Sequence, residues 1–309
     1  MLCALLLLFP ACGQAADPVP EGQPAPTITT PITTPPGPGT PVMVAPPEPA
    51  PPIRVRGGGT ETVLRLWSSC WQSGSARTCA DGRPPAVPPD IGSAPDVEVA
   101  FDAVGWRFSA TFVATGQECG REQAFPLTAT GPTTHRLMAV GRAGDYTVTL
   151  HGRSAEGATN KGDVATTFRW HTTEDGPNEA PSATISLLAT PADARVSMGA
   201  ELSARALGVT TEAGTVEASA VVTSSTGASM RVDFRTIAMD CVPEGSLFLR
   251  SDGDDGRAVA ALGPAPLRYE VTLALKGRAY RGTGVWPQDE IKDCSPCTRL
   301  RFDPPLPAL

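Results

Sequence analysis

Short runs in which apolar and polar residues take turns constrain this chain more than any other feature of it. Trp106, Phe108, Ala110 and Phe112 alternate with Arg107, Ser109 and Thr111. Tyr146, Val148 and Leu150 alternate with Thr147, Thr149 and His151, and Phe168 and Trp170 with Thr167, Arg169 and His171. Successive side chains on an extended strand point to opposite faces, so each run offers one face for burial and leaves the other wet. Gly, Pro and Asp separate the runs, which is the pattern of antiparallel sheets packed in layers. The expectation is an all-β protein.

Two bodies of this kind are predicted, at 61–177 and 182–305. The turn-rich join EDGPNEAPSA (174–183) lies between them. In the second body strands are expected around 184–189, 200–206, 217–223, 229–236, 246–250, 268–276, 279–286 and 298–303. Tyr269, Val271 and Leu273 lead into a Lys276-Gly277 turn, the signature of a tight hairpin.

The stretch from Asp17 to Gly59 has prolines every two or three residues and no periodicity of either kind, so it cannot build a packed core. In polyproline II, about 40 residues at roughly 3.1 Å each would reach on the order of 100 Å. That segment reads as a disordered Pro/Thr-rich linker over 12–60, bare or glycosylated on Thr27, Thr29, Thr30, Thr33 and Thr34. Ahead of it, LCALLLLF is too short to span a bilayer but fits the apolar core of a secretory signal over 1–11.

Cys12 follows that signal in the stretch FPACG. Ala11, Cys12 and Gly13 resemble a bacterial lipobox, which implies a diacylated Cys12 as the mature amino terminus and a membrane reached through lipid. Phe9 and Pro10 depart from the lipobox, and no Lys or Arg precedes Cys12, so an earlier start is expected. The alternative is plain secretion, with cleavage after Gly13-Gln14-Ala15. AGDYTVTLHGR (143–153), followed by TTFRWH, resembles the last two strands of Ig-like and PKD-like modules. Taken whole, the layout resembles actinobacterial secreted lipoproteins with Ig-like β-sandwich domains. The resemblance implies two Ig-like β-sandwiches behind a tether and brings no activity with it.

Six cysteines remain for the β bodies: Cys70, Cys79, Cys119, Cys241, Cys294 and Cys297. Outside the cytoplasm they imply disulfides, with 15 formal connectivities. Three fall in each body, so one bridge must cross or each body keeps a thiol. Cys70 with Cys79 and Cys294 with Cys297 are close in sequence, which leaves Cys119 with Cys241 by elimination. CSPC (294–297) also matches a redox motif, but TRLRF after it alternates like a strand, and no helix dipole would support a thiolate. A structural bridge is the expectation there.

The net charge of −7 and pI of about 5.1, with no Lys or Arg cluster, exclude the electrostatic footprint of nucleic-acid binding. No Gly-x-Ser-x-Gly elbow or His-Glu-x-x-His stretch occurs, and no cofactor is called for. His151 and His171 fall on adjacent strands and on the polar, outward phase, where they could approach each other across a sheet; with no carboxylate or Cys at ligand spacing, a solvent-facing pair is the expectation. SDGDDGR (251–257) reads as a solvated turn whose Asp252, Asp254 and Asp255 are weak metal candidates. Trp67 and Trp71 flank Cys70 and serve either as a ligand platform or as packing against the disulfide. The function expected is a non-catalytic binding or scaffolding module, anchored outside the membrane and facing an envelope protein or glycan. The alternatives are a glycan- or Ca-binding surface module and a secreted hydrolase with no recognisable motif.

Overall fold

The computed structural model describes residues 49–117, 119–189, 197–209, 216–237, 239–292, 294 and 296–309, all within one compact unit, Pro46–Leu309. Cys12, the signal segment and the linker up to residue 48 lie outside the described residues. Among the described residues strand dominates, with one short helix.

The first body uses twelve strands: β1 Ile53–Gly57, β2 Thr60–Leu64, β3 Ser68–Ser73, β4 Ala76–Ala80, β5 Asp90–Ala94, β6 Asp96–Phe101, β7 Trp106–Ala114, β8 Glu122–Pro126, β9 Thr128–Ala129, β10 Thr134–Met138, β11 Gly144–Ser154 and β12 Lys161–Thr172. One sheet runs β2-β1-β6-β10-β9 and the other β4-β3-β12-β11-β7-β8, with β5 added alongside β12. Only the β5–β12 pairing is parallel among these. The alternating runs do what their period demands. Phe108, Ala110 and Phe112 from β7, Val148 and Leu150 from β11, and Phe168 and Trp170 from β12 meet Val97, Val99 and Phe101 of β6 and Leu137 of β10 in one core. This is a β-sandwich.

β1 corrects the sequence reading, because it begins at Ile53 inside the segment assigned to the linker. IRVRG alternates like any other strand, and Ile53 and Val55 are fully buried between Arg54 and Arg56. Arg54 then grips Asp102 with two hydrogen bonds of 2.7 Å. The prolines before it and the glycines after it masked a five-residue pattern.

The core also holds a histidine. His135 is 4 % exposed and donates from Nε2 to the Trp106 carbonyl at 3.1 Å, while its ring meets Phe108 edge-on at 5.0 Å. Burial pushes the imidazole below its usual 6.5. The folded protein therefore holds His135 neutral at pH values where the unfolded chain would take up a proton. Stability is full above about pH 6.5 and falls as the pH drops from there to the depressed folded value. Glu179 acts in the opposite sense, since burial raises its carboxyl above 4.5 and the native state gains protons first. The measurement is therefore a difference: guanidinium midpoints from pH 8 to pH 5 for the wild type against His135→Phe. The variant should lose part of the decline that starts near 6.5, the rest belonging to His151, whose imidazole burial also pushes below 6.5, and parallel curves would refute the assignment.

The second body comprises β13 Ser182–Ala189, β14 Ser197–Arg205, β15 Glu217–Thr223, β16 Ser229–Thr236, β17 Leu247–Arg250, α1 Gly253–Ala261, β18 Leu267–Leu275, β19 Arg278–Trp286 and β20 Cys297–Asp303. Its strand positions follow the alternation, and the β18–β19 hairpin turns on Lys276 and Gly277. Both have positive φ (48° and 77°), as a two-residue hairpin turn of primed type requires.

The architecture differs from the expected second sandwich, because the strands close as β13-β14-β17-β16-β15-β18-β19-β20 into a barrel. Two strands change partners along their length. β20 pairs with β13 through Cys297–Leu300 and with β19 through Arg301–Asp303. β16 pairs with β15 through Ser229–Phe234 and with β17 through Arg235 and Thr236. Such corner strands join two sheets into one closed surface without disturbing the alternation, so the sequence does not announce them. Ile185, Leu202, Val222, Val232, Leu249, Val271 and Leu273 fill the interior. Tyr269 lies there too, and burial pushes its hydroxyl up to about 12.

SDGDDGR is a helix start, not a turn. Asp252 is the N-cap residue of α1, and Asp254 and Asp255 occupy the first turn, where the helix dipole favours negative charge. Val259 buries the inner face. The glycines at 253 and 256 hid this pattern. Two of its carboxylates already face a cation: Asp252 lies 3.7 Å from Arg235 and Asp254 pairs with Arg257.

Candidate functional site

A cleft of about 450 Å³ opens where the sandwich meets the barrel. Its floor is the outward face of β13 and β14. The residues there that alternate with the barrel core point away from it: Ser182, Thr184 and Ser186 on one strand, Glu201, Ser203 and Arg205 on the next. Register sets Thr184 opposite Ser203, and their hydroxyls share a hydrogen bond of 2.8 Å. Glu201 pairs with Arg250 at 3.1 Å. The sandwich contributes Thr111 of β7 and Glu122 and Ala124 of β8. Phe248, Arg299 and the Cys294–Cys297 bridge complete the wall.

Glu179, from the connector between the bodies, fixes the cleft's geometry. Its carboxylate accepts the Ala124 N–H at 2.7 Å, its own N–H donates to the Gln123 side-chain carbonyl at 3.3 Å, and Arg205 approaches to 3.9 Å. A second fastening involves Arg121, which donates to the Leu207 carbonyl at 2.7 Å and lies 3.4 Å from Glu244. Gly245 is required beside it: its φ of 76° suits glycine, and a Cβ there would collide with Arg121 and the Leu207 carbonyl. Next to these contacts Cys119 is bonded to Cys241, and the Glu244 N–H donates to the Cys119 carbonyl at 3.3 Å.

All three cysteine pairings expected from spacing and elimination are present. Cys70 and Cys79 face each other across β3 and β4. Cys294–Cys297 leads into strand β20, as the alternation of TRLRF required.

Trp71 corrects the platform reading. It is 4 % exposed, stacked on Trp106 at 5.3 Å and edge-on to Phe101 at 6.0 Å, and it belongs to the sandwich core. Its strand phase faces inward. Trp67 is half-buried and donates its indole N–H to the Thr167 hydroxyl at 3.1 Å. The histidines do not meet either. His171 lies opposite Asp145, with Nδ1 2.9 Å from the carboxylate, whereas His151 lies opposite Ala165, six residues further along β11. At about 3.4 Å per residue that separates them by roughly 20 Å.

Apart from Cys294 and Cys297, the cleft residues were absent from the sequence-derived candidates. Ser182 to Arg205 read only as the polar phase of two strands, and Glu179 as part of a join. What makes them a site is a neighbour brought in from 55 residues away (Ala124 to Glu179) to 94 (Thr111 to Arg205), for which no local pattern exists.

No protein-family model and no curated protein matches the chain. Among solved structures, the FN1–FN3 domains of chicken CNTN1 align over 72 % of this chain and 82 % of theirs, at 12 % identity and a TM-score of 0.18. None of the helices among the described residues is long and apolar enough to cross a membrane.

Proposed function

We propose that this protein is a non-catalytic binding module of the cell envelope, held outside the membrane by a lipid on Cys12, with the Pro/Thr-rich segment as its spacer. The observation that carries this reading is the disulfide framework: three bridges within one β-rich unit, one of them joining residues 122 apart, which is the cysteine usage of an exported protein. Both bodies are read as Ig-like in origin, the second closed into a barrel. The binding surface is the cleft between them, and it replaces the tryptophan platform as the favoured place for a ligand. Hydroxyls, carboxylates, two arginines and Phe248 suit a neutral, polyhydroxylated ligand such as an envelope glycan better than an apolar one.

The intact mass of the protein recovered from its native membrane, before and after reduction, tests this reading. The expected result is a diacylglyceryl adduct on a chain beginning at Cys12, with a gain of six hydrogens from the three bridges. A lipid-free chain beginning near Ala16 would remove the anchor.

A further inference from the structure

We propose that the Cys294–Cys297 bridge is a thiol-exchange site facing the cleft, and that its substrate is a cysteine dithiol of an extracytoplasmic partner protein. This goes beyond the binding role and does not depend on whether Cys12 carries lipid. The two sulfurs are not equivalent. Cys294 is exposed on the cleft wall, whereas Cys297 is only 7 % exposed. Beside Cys297 stands Ser186, also 7 % exposed, set opposite it by the β13–β20 register, and its hydroxyl donates to Cys297 Sγ at 3.0 Å.

That hydrogen bond is unusual in its economy. Buried hydroxyls normally find a strong acceptor, and neutral sulfur is a weak one. A thiolate on Cys297 would be a strong one. The interaction therefore grows as the S–S bond breaks, which is the condition for accelerating a step and not merely stabilising its starting state. Ser186 supplies here part of what a helix N-terminus supplies to other Cys-x-x-Cys pairs. The bridge also encloses only two residues, so opening it releases little constraint on the chain.

The chemistry follows from this asymmetry. A partner thiolate attacks the accessible Cys294 Sγ; the Cys294–Cys297 bond breaks, and its electron pair leaves on Cys297 Sγ, held by the Ser186 hydroxyl. The partner is then linked to Cys294 as a mixed disulfide. Its second thiolate attacks its own linked sulfur and expels Cys294 as thiolate. Two electrons have passed from the partner dithiol to the pair, two protons follow to give both thiols, and the partner leaves as a disulfide.

The test uses the full chain under native conditions, exposed to dithiothreitol for increasing times, quenched by alkylation and mapped peptide by peptide. Cys294 and Cys297 should label before the cysteines of the other two bridges. With limiting glutathione the mixed disulfide should sit on Cys294. Ser186→Ala should slow opening about fivefold to tenfold, the loss of one hydrogen bond to a developing charge, relative to Cys70–Cys79 in the same sample. Ser186→Thr, which keeps the hydroxyl, should retain the rate and separates this effect from any damage to the fold. Simultaneous opening of all three bridges at global unfolding would overturn the proposal. So would a mixed disulfide on Cys297, or a Ser186→Ala protein that opens at the wild-type rate.

Discussion

Trp170→Ala will cost about 5 kcal/mol, enough to exhaust the stability of many single domains. Trp170 is 1 % exposed, the largest fully buried side chain of the sandwich, and its ring packs 5.9 Å from that of Phe112. Truncating a buried tryptophan removes transfer energy and leaves a cavity, together about 3–5 kcal/mol. Its indole N–H also donates to the Ala94 carbonyl at 3.1 Å, and an unpaired buried carbonyl adds about 1–3 kcal/mol. Trp170→Phe separates the two contributions, since it keeps most of the packing and loses the donor; about 1–2 kcal/mol is expected. Val87, 77 % exposed, serves as the reference, with Val87→Ala staying within about 0.5 kcal/mol of the wild type. Guanidinium unfolding followed by circular dichroism gives all three values. A Trp170→Ala protein within 1 kcal/mol of the wild type would show that this residue does not anchor the core.

The same tryptophan illustrates how the fold was legible. Phe168 and Trp170 alternate with polar neighbours, so their burial followed from the period of a strand, and so did the eight strands of the second body. Local turn chemistry was legible as well, down to Lys276 and Gly277 at the hairpin. Closure of the barrel was not, because the corner strands β16 and β20 keep their alternation while exchanging partners. The helix α1 was hidden by its glycines, and β1 by the prolines before it. The cleft was the least legible part. Ser186 looked like one more outward serine until the ladder set Cys297 opposite it, and Glu179 looked like turn filler until Ala124 supplied its donor. Pairing across 55 or 111 residues leaves no trace in a local pattern. Parity of the cysteines did carry long-range information, because an odd number in each body left either a crossing bridge or a free thiol in each, and Cys119–Cys241 is the crossing bridge.

That bridge is expected to set how the two bodies share their stability. In the double variant Cys119→Ser, Cys241→Ser, the closed segment of 122 residues is released, and loop entropy alone puts the loss near 5 kcal/mol. The remaining fastenings are polar: Arg121 on the Leu207 carbonyl, its ion pair with Glu244, and Glu179 on the Ala124 N–H. Hydrogen bonds of this kind contribute about 1 kcal/mol each, whereas each body has its own closed apolar core. The loss should therefore appear as uncoupling as well as destabilisation. Calorimetry of the wild type should give one transition, and the double variant two, with the sandwich and the barrel melting separately. Adding Arg121→Ala to the double variant should widen the gap between the two transitions, since it removes both the Leu207 and Glu244 contacts. A single transition at an unchanged midpoint in the double variant would mean that the packed cleft, not the bridge, couples the bodies. The cleft would then be a rigid joint whose shape does not depend on cysteine chemistry.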